Sequence, residues 1–176
     1  MRRVALLTAA ALLGAAPGSL RAQTCSPAAP IPTGSCTVAT STSITIVKVL
    51  KLTLSTISQT LAAPTETNFD SGHEDASGPV VTVQTNAAWN LSINAAAATW
   101  TATGAGARAS KPASDLQWSK VSGSGYAGLS TSAAAVTAGT GTAGSTVNLF
   151  YRVLYNWTLD TPGNYSLVVV YTLTTP

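Results

Sequence analysis

Alternation of apolar and polar residues in the last third of the chain restricts its fold more than any other sequence feature. Apolar side chains recur at every second position over residues 147–157 and again over residues 165–173. Between the two runs lies Asp160-Thr161-Pro162-Gly163-Asn164, and its Pro-Gly pair is typical of a turn. A period of two is the pattern of a strand with one buried face. These residues therefore predict two long strands joined by a turn.

Shorter alternating runs predict further strands upstream. Residues 80–85 and 89–93 flank the turn residues Asn86-Ala87-Ala88, so we expect them to form a β-hairpin. Residues 44–54 predict a strand rather than a helix, because Thr, Val and Ile are poor helix formers. A further strand is expected over 116–121.

The remaining segments are poor in apolar residues. Residues 62–79 predict a long loop, and residues 104–114 predict another. The stretch 122–146 is almost entirely Gly, Ser, Ala and Thr, and we expect only short strands through Leu129 and Val136. Seven or more strands with no convincing helix predict an all-β fold, an immunoglobulin-like antiparallel β-sandwich spanning residues 43–176.

The N-terminus has the features of a secretory signal peptide. Arg2 and Arg3 precede an apolar run over residues 4–16, and Ala22 supplies a small residue before a cleavage point. A membrane anchor is the alternative, but a bilayer requires about 20 apolar residues and this run is shorter. The residues before Cys25 do not resemble a lipidation signal. We therefore expect residues 1–22 to be removed, leaving a secreted or cell-surface protein with no membrane span.

Cleavage would change the charge balance of the chain. Loss of Arg2, Arg3 and Arg21 from nine basic residues leaves six, against six acidic residues. A nucleic-acid partner would require a basic stripe that neutralises phosphates, so we expect no nucleic-acid binding. A surface with few charges and no net charge has little electrostatic protection against self-association.

Residues 23–42 predict an irregular segment closed by a disulfide. This segment is rich in proline and contains Cys25 and Cys36, the only two cysteines. A pair of cysteines outside the cytoplasm is expected to form a disulfide, which would contribute roughly 3 kcal/mol for a loop this short. Metal binding by two cysteines with no neighbouring histidine is the less favoured alternative.

An acidic stretch within 62–79 is the main candidate for chemistry. Asp70, Glu74 and Asp75 are candidate calcium ligands, with Glu66 and the only histidine, His73, close by. Their spacing does not follow the Asp-x-Asp-x-Asp-Gly pattern, so a solvated loop is the favoured interpretation. A hydrolase centred on His73 is a second alternative, but no Gly-x-Ser-x-Gly motif occurs. The sequence predicts no catalytic residues, no cofactor and no enzymatic activity.

The segment from Asp160 to Tyr165 resembles the corner before the penultimate strand of immunoglobulin-like sandwiches. In those domains a tyrosine after a turn donates a hydrogen bond back to the backbone, so the resemblance assigns Tyr165 a structural role. A Pro-Gly-x-Tyr motif followed by alternating Val and Thr also resembles bacterial surface and fimbrial subunit domains.

A second resemblance involves two Trp-x-Leu tripeptides. Trp89-Asn90-Leu91 and Trp157-Thr158-Leu159 are similar to the paired motif of WxL domains, which are secreted β-rich proteins attached to bacterial cell walls. Unlike those domains, this chain continues through a full strand after its second motif. The parity of the alternation also places both tryptophans on the inward face of strands, where they would pack in the core.

The leading functional hypothesis is a non-enzymatic structural or adhesion protein that binds the cell envelope or copies of itself. Self-assembly could proceed by strand addition, with residues 23–42 or the strand 44–54 as donor. The alternative is a carbohydrate- or wall-binding module. In that case Trp100 and Trp118, which lie near predicted loops, would stack on sugar rings.

Overall fold

The computed structural model describes residues 39–176. The predicted signal peptide and the predicted Cys25–Cys36 disulfide lie outside these residues. Ile46–Pro176 forms one compact unit, and residues 39–45 are exposed and have no regular secondary structure. Within the described range, no helix combines the length and apolarity needed to cross a bilayer.

Ten strands and two short helices make up the described chain. The α-helix, α1, is Glu66–Ser71, and a 3-10 helix spans Ala113–Asp115. The strands are β1 Leu50–Leu54, β2 His73–Thr85, β3 Trp89–Ala95, β4 Thr101–Thr103, β5 Leu116–Ser119, β6 Ala127–Gly128, β7 Ala134–Gly139, β8 Thr142–Leu154, β9 Asn164–Ser166 and β10 Val169–Thr174.

The strands form three antiparallel sheets. The largest has the order β1-β2-β8-β5-β6, a second has the order β10-β3-β7, and β4 pairs with β9. Their inward side chains make a single core that includes Val81, Leu91, Ile93, Leu149 and Val153. The prediction of an all-β sandwich is confirmed, whereas an immunoglobulin-like strand order stays a prediction.

The predicted hairpin of residues 80–93 is wrong. The two strands that flank Asn86 belong to different sheets, because β2 pairs with β1 and β8, whereas β3 pairs with β10 and β7. β8 and β10 are separated in the same way, and the hydroxyls of Tyr151 and Tyr171 form a hydrogen bond. Each of these strands has one apolar face. Because the chain passes from one sheet to the other, the apolar faces of the two strands point toward each other across the core. Alternation cannot distinguish this arch from a hairpin.

Several boundaries differ from those predicted. The strand expected over 44–54 is reduced to β1, and the strand expected over 147–157 begins earlier, at Thr142, and ends at Leu154. The expected loop 62–79 instead contains α1 and the first residues of β2. Thr65 and Asn68 form a capping box at the start of α1, and Gly72 ends it with φ 73°, a conformation that favours glycine.

The Gly/Ser/Ala/Thr-rich stretch contains β6, β7 and the start of β8. Val136 lies in β7, as predicted, whereas Leu129 lies one residue beyond the end of β6. Both side chains are buried. Glycine is required at position 139, because a Cβ there would lie only 3.0 Å from the Trp89 ring. The indole Nε1 of Trp89 donates to the carbonyl of Thr140 at 2.8 Å.

Tyr165 joins the turn before β9 to the loop after β4. Its hydroxyl donates to the carbonyl oxygen of Thr161 at 2.6 Å and accepts the backbone N–H of Arg108 at 2.9 Å. The hydrogen bond to the preceding backbone is the one predicted from the resemblance.

Replacing Tyr165 by phenylalanine should lower the free energy of unfolding by about 1–3 kcal/mol, since one deletion removes partners from two backbone groups. Urea denaturation of the two proteins measures the difference. Tyr126→Phe is the control, because the Tyr126 hydroxyl contacts two exposed groups, the N–H of Gly123 at 3.4 Å and the Asp75 carboxylate. Equal losses in both variants would contradict a corner role for Tyr165.

Candidate functional site

The two tryptophans predicted to stack on sugars lie in the core. Trp100 and Trp118 are each 8% exposed, and Trp100 Nε1 donates to the carbonyl of Pro112 at 3.1 Å. A ring this deeply buried offers no free face to a sugar. The stacking expectation for these residues is therefore corrected: nearby loops in the sequence do not determine where a side chain points.

The candidate calcium ligands have three different partners. Asp75 forms a two-pronged contact with Arg152, at 2.6 and 2.8 Å, and this hydrogen bonding lowers the Asp75 pKa. The other two accept single hydrogen bonds: Glu74 from the Tyr155 hydroxyl at 3.3 Å and Asp70 from Trp157 Nε1 at 3.1 Å. Among the described residues, no three acidic, histidine or cysteine side chains converge as metal ligands would.

His73 is held by its neighbours along the chain. Its Nδ1 lies 3.0 Å from the carbonyl oxygen of Ser71, while the Ser71 hydroxyl shares its one hydrogen between the carbonyl oxygens of Asn68 and His73, at 3.2 and 3.0 Å. The serine hydroxyl nearest in sequence is therefore bonded to backbone and not to the imidazole. Ser71 therefore does not pair with the imidazole as the serine of a Ser-His-Asp triad would.

Trp157 is the exposed tryptophan, at 59%, and its predicted core position is wrong. Its parity continues from β8, but β8 ends at Leu154 and a turn follows. Asn156 builds that turn: its side-chain oxygen accepts the N–H groups of Thr158 and Leu159, at 2.9 and 3.2 Å. The other motif tryptophan, Trp89, is 3% exposed, so its predicted core position is confirmed.

Two contacts fix the orientation of the Trp157 ring. Its centroid lies 4.7 Å from that of Phe69 at an interplanar angle of 33°, and its Nε1 is bonded to Asp70. Both partners belong to α1, so this short helix supports the ring from one side. We call Trp157 together with Leu159, which is 50% exposed, the Trp157 surface.

A partly buried ion cluster lies beside this surface. It consists of Arg108, Lys111, Asp115 and Asp160. The Lys111 ammonium donates to Asp160 at 3.0 Å, to Asp115 at 3.2 Å and to the carbonyl of Leu154 at 2.8 Å. Arg108 adds a 3.0 Å bond to Asp160. Lys111 has all three ammonium hydrogens occupied, so the cluster connects the loop before the 3-10 helix to the turn after β8.

The ion cluster also determines the titration of Asp160. Burial opposes ionisation and is the largest single effect, but hydrogen bonds from Lys111 and Arg108 together outweigh it and lower the Asp160 pKa. A groove of about 270 Å³ lies next to the cluster, between Gly72, Asn156 and Leu159. Near the same groove, burial and the Glu74 carboxylate raise the pKa of Tyr155 to about 12.

Acidification should destabilise the fold through Asp160. A depressed carboxyl pKa contributes stability above the unfolded value of about 3.9 and loses it as the pH falls through the lower, folded value. We expect the free energy of unfolding to decline below about pH 4, with a shallower decline in Asp160→Asn. Urea denaturation from pH 7 to pH 3 measures both slopes. Identical slopes would contradict this role for Asp160.

Apolar side chains are also exposed at the other end of β2. Residues 46–49, which we call the overhang, precede β1 and expose Ile46 at 77%, Val47 at 67% and Val49 at 57%. Asn86 holds their backbone: its Oδ1 accepts the Val49 N–H and its Nδ2 donates to the Val47 carbonyl, both at 2.8 Å. The Asn86 side chain thus makes the same hydrogen bonds to this backbone that a neighbouring strand would make.

No protein-family model matches this chain, and no curated protein shows significant similarity to it. The resemblance to WxL and fimbrial domains therefore stays a prediction.

Sequence reasoning missed two of these features. Arg108, Lys111, Asp115 and Asp160 are spread over 53 positions of a loop-rich region, and no motif links them. The exposure of the overhang was missed because Ile46 shares the parity of Leu52 and Leu54, which do pack against the core. An available signal was Asn86, because an Asn before a strand can bond to backbone from its side chain.

Proposed function

We propose that this chain is a secreted or cell-surface structural protein, without enzymatic activity, that associates with copies of itself. The observation that supports the proposal is the overhang, where a backbone held in place by Asn86 exposes three β-branched side chains to solvent.

Apolar side chains lie on both sides of the overhang. Ile46 continues the parity of the core-facing Leu52, whereas Val47 and Val49 have the opposite parity. Burial of such side chains is favourable by about 25 cal/mol per Å², and clusters of exposed apolar residues are typical of interaction sites. The overhang leads into β1, an edge strand of the largest sheet, whose outer backbone groups can pair with another chain.

Sedimentation velocity of residues 23–176 tests the proposal. We expect oligomers that shift toward monomer on dilution, and we expect Val47→Ser/Val49→Ser to remain monomeric at concentrations where the unsubstituted protein associates. Val121→Ser is the matched control, because Val121 is 59% exposed but lies outside the overhang. A monomer at every concentration, or equal effects of the two substitutions, would contradict the proposal.

A second candidate function is binding of a cell-wall or other polysaccharide, with the site moved from the buried tryptophans to Trp157. The observation that favours it is an exposed indole whose orientation is fixed by Phe69 and Asp70, as expected for a ring that stacks on a sugar. Retention on insoluble polysaccharide should fall at least tenfold in Trp157→Ala and partly recover in Trp157→Phe. Unchanged retention in Trp157→Ala would reject the candidate.

A further inference from the structure

The charged side chains of the described unit divide into paired and unpaired groups. Six of them form ion pairs: the four members of the ion cluster, and Arg152 with Asp75. The remaining charged side chains of residues 46–176 have no oppositely charged group within ion-pair distance among the described residues. They are the cations Lys48, Lys51 and Lys120 and the anions Glu66, Asp70 and Glu74.

The unpaired anions lie together at the Trp157 end of the molecule. Glu66 and Asp70 belong to α1, which packs against β2, and Glu74 is the second residue of β2. Asp70 is bonded directly to the Trp157 ring. The exposed apolar side chains of the Trp157 surface are therefore bordered by uncompensated negative charge.

Two of the three unpaired cations lie at the opposite end. Lys48 is part of the overhang, and Lys51 in β1 pairs in register with Gln84 near the end of β2. Glu74 lies ten positions earlier in the same strand, which corresponds to roughly 30 Å at about 3.3 Å per residue. The overhang thus combines apolar side chains with positive charge, the reverse of the charge at the Trp157 surface.

We infer that the overhang of one copy binds the Trp157 surface of a second copy, head to tail. This inference rests on the proposed self-association and names the two surfaces involved. Apolar side chains are exposed at both ends, at 57–77% for Ile46, Val47 and Val49 and at 50–59% for Leu159 and Trp157. The surrounding charges attract only when unlike ends meet, because two overhangs or two Trp157 surfaces would repel.

A contact between unlike ends leaves one free end of each kind on every pair. Such a heterologous contact propagates into rings or open filaments, unlike a two-fold contact, which stops at the dimer. Association is expected to weaken as salt rises from 0.05 to 0.5 M, because screening reduces the attraction between exposed charges. This assembly uses surfaces at opposite ends of β2. Unlike strand addition, it does not require a strand of one copy to enter a sheet of another.

Mixing two blocked variants tests the inference. Val47→Ser/Val49→Ser blocks the overhang, and Trp157→Ser/Leu159→Ser blocks the Trp157 surface, while each leaves the other surface intact. We expect each variant alone to be monomeric and an equimolar mixture to form dimers without larger species, as measured by sedimentation velocity. Val121→Ser is the control and should still form the larger species.

Each other outcome would overturn the inference. If the Trp157-surface variant alone still associates like the unsubstituted protein, the contact does not involve that surface, although self-association itself stands. If the unsubstituted protein is monomeric throughout, the proposed function fails together with the inference. If the mixture stays monomeric while the unsubstituted protein polymerises, the two surfaces do not bind each other. Circular dichroism of both variants verifies that they are folded.

Discussion

Lys111→Met should lower the free energy of unfolding by about 3–5 kcal/mol, the range observed when one partner of a buried ion pair is removed. The Lys111 side chain is only 4% exposed, and that of Asp160 only 7%. Methionine fills a similar volume but cannot donate to Asp115, Asp160 or the carbonyl of Leu154. Arg108 would remain as the only cation beside two carboxylates, so the loss reflects uncompensated buried charge and not a cavity.

Urea denaturation at pH 7 measures this loss, with Lys120→Met as the matched control. Lys120 is exposed and has no ion pair among the described residues, so its replacement should change stability by less than about 0.5 kcal/mol. The quadruple variant Arg108→Met/Lys111→Met/Asp115→Leu/Asp160→Leu should recover part of the stability, because it removes every charge that the loss of Lys111 would leave without a partner. A loss below 1 kcal/mol in Lys111→Met would show that the cluster contributes little.

Trp89→Ala should destabilise the protein by about 3–5 kcal/mol, the usual cost of removing a large aromatic side chain from a core. Trp89 is 3% exposed, its ring packs against Gly139, and its Nε1 bonds to Thr140. The substitution would leave a cavity between β3 and β7 and remove the partner of the Thr140 carbonyl. The effect should be visible as a large decrease in the denaturation midpoint.

Trp157→Ala supplies the matched comparison from the second Trp-x-Leu tripeptide. This ring is 59% exposed, so its removal should cost less than about 1.5 kcal/mol, mainly through the lost contact with Phe69 and the bond to Asp70. We expect Trp89→Ala to alter stability and Trp157→Ala to alter association. Similar stability losses in the two variants would contradict the different positions that the structure gives them.

The two tripeptides show how far local sequence determines a site. Trp89 and Trp157 have the same spacing to a leucine and the same inward parity, yet one lies in the core and the other is exposed. The difference comes from Asn156, whose side chain accepts three hydrogen bonds from Thr158 and Leu159 and starts a turn. A period-two pattern identifies the face of a strand, but it does not determine where the strand ends.

The sequence alone determined the fold class, most of the inward-facing positions and the tyrosine corner. These features depend on side-chain polarity at fixed intervals and on local turn chemistry, both of which are written along the chain. Leu91, Leu149 and Tyr151 are core residues that alternation identifies, and the hydroxyl of Tyr165 reaches Thr161, only four residues away.

Only the tertiary structure decided which strands pair, which apolar residues stay exposed and which charges meet. β2 and β3 are adjacent in sequence but belong to different sheets. Their alternation of apolar and polar residues fits this arrangement as well as it fits a hairpin, because in both cases each strand buries one face. Arg108 meets Asp160 across 52 positions of sequence. The overhang is exposed because the core ends before it. Contacts of this kind depend on packing between distant segments, which no local pattern encodes.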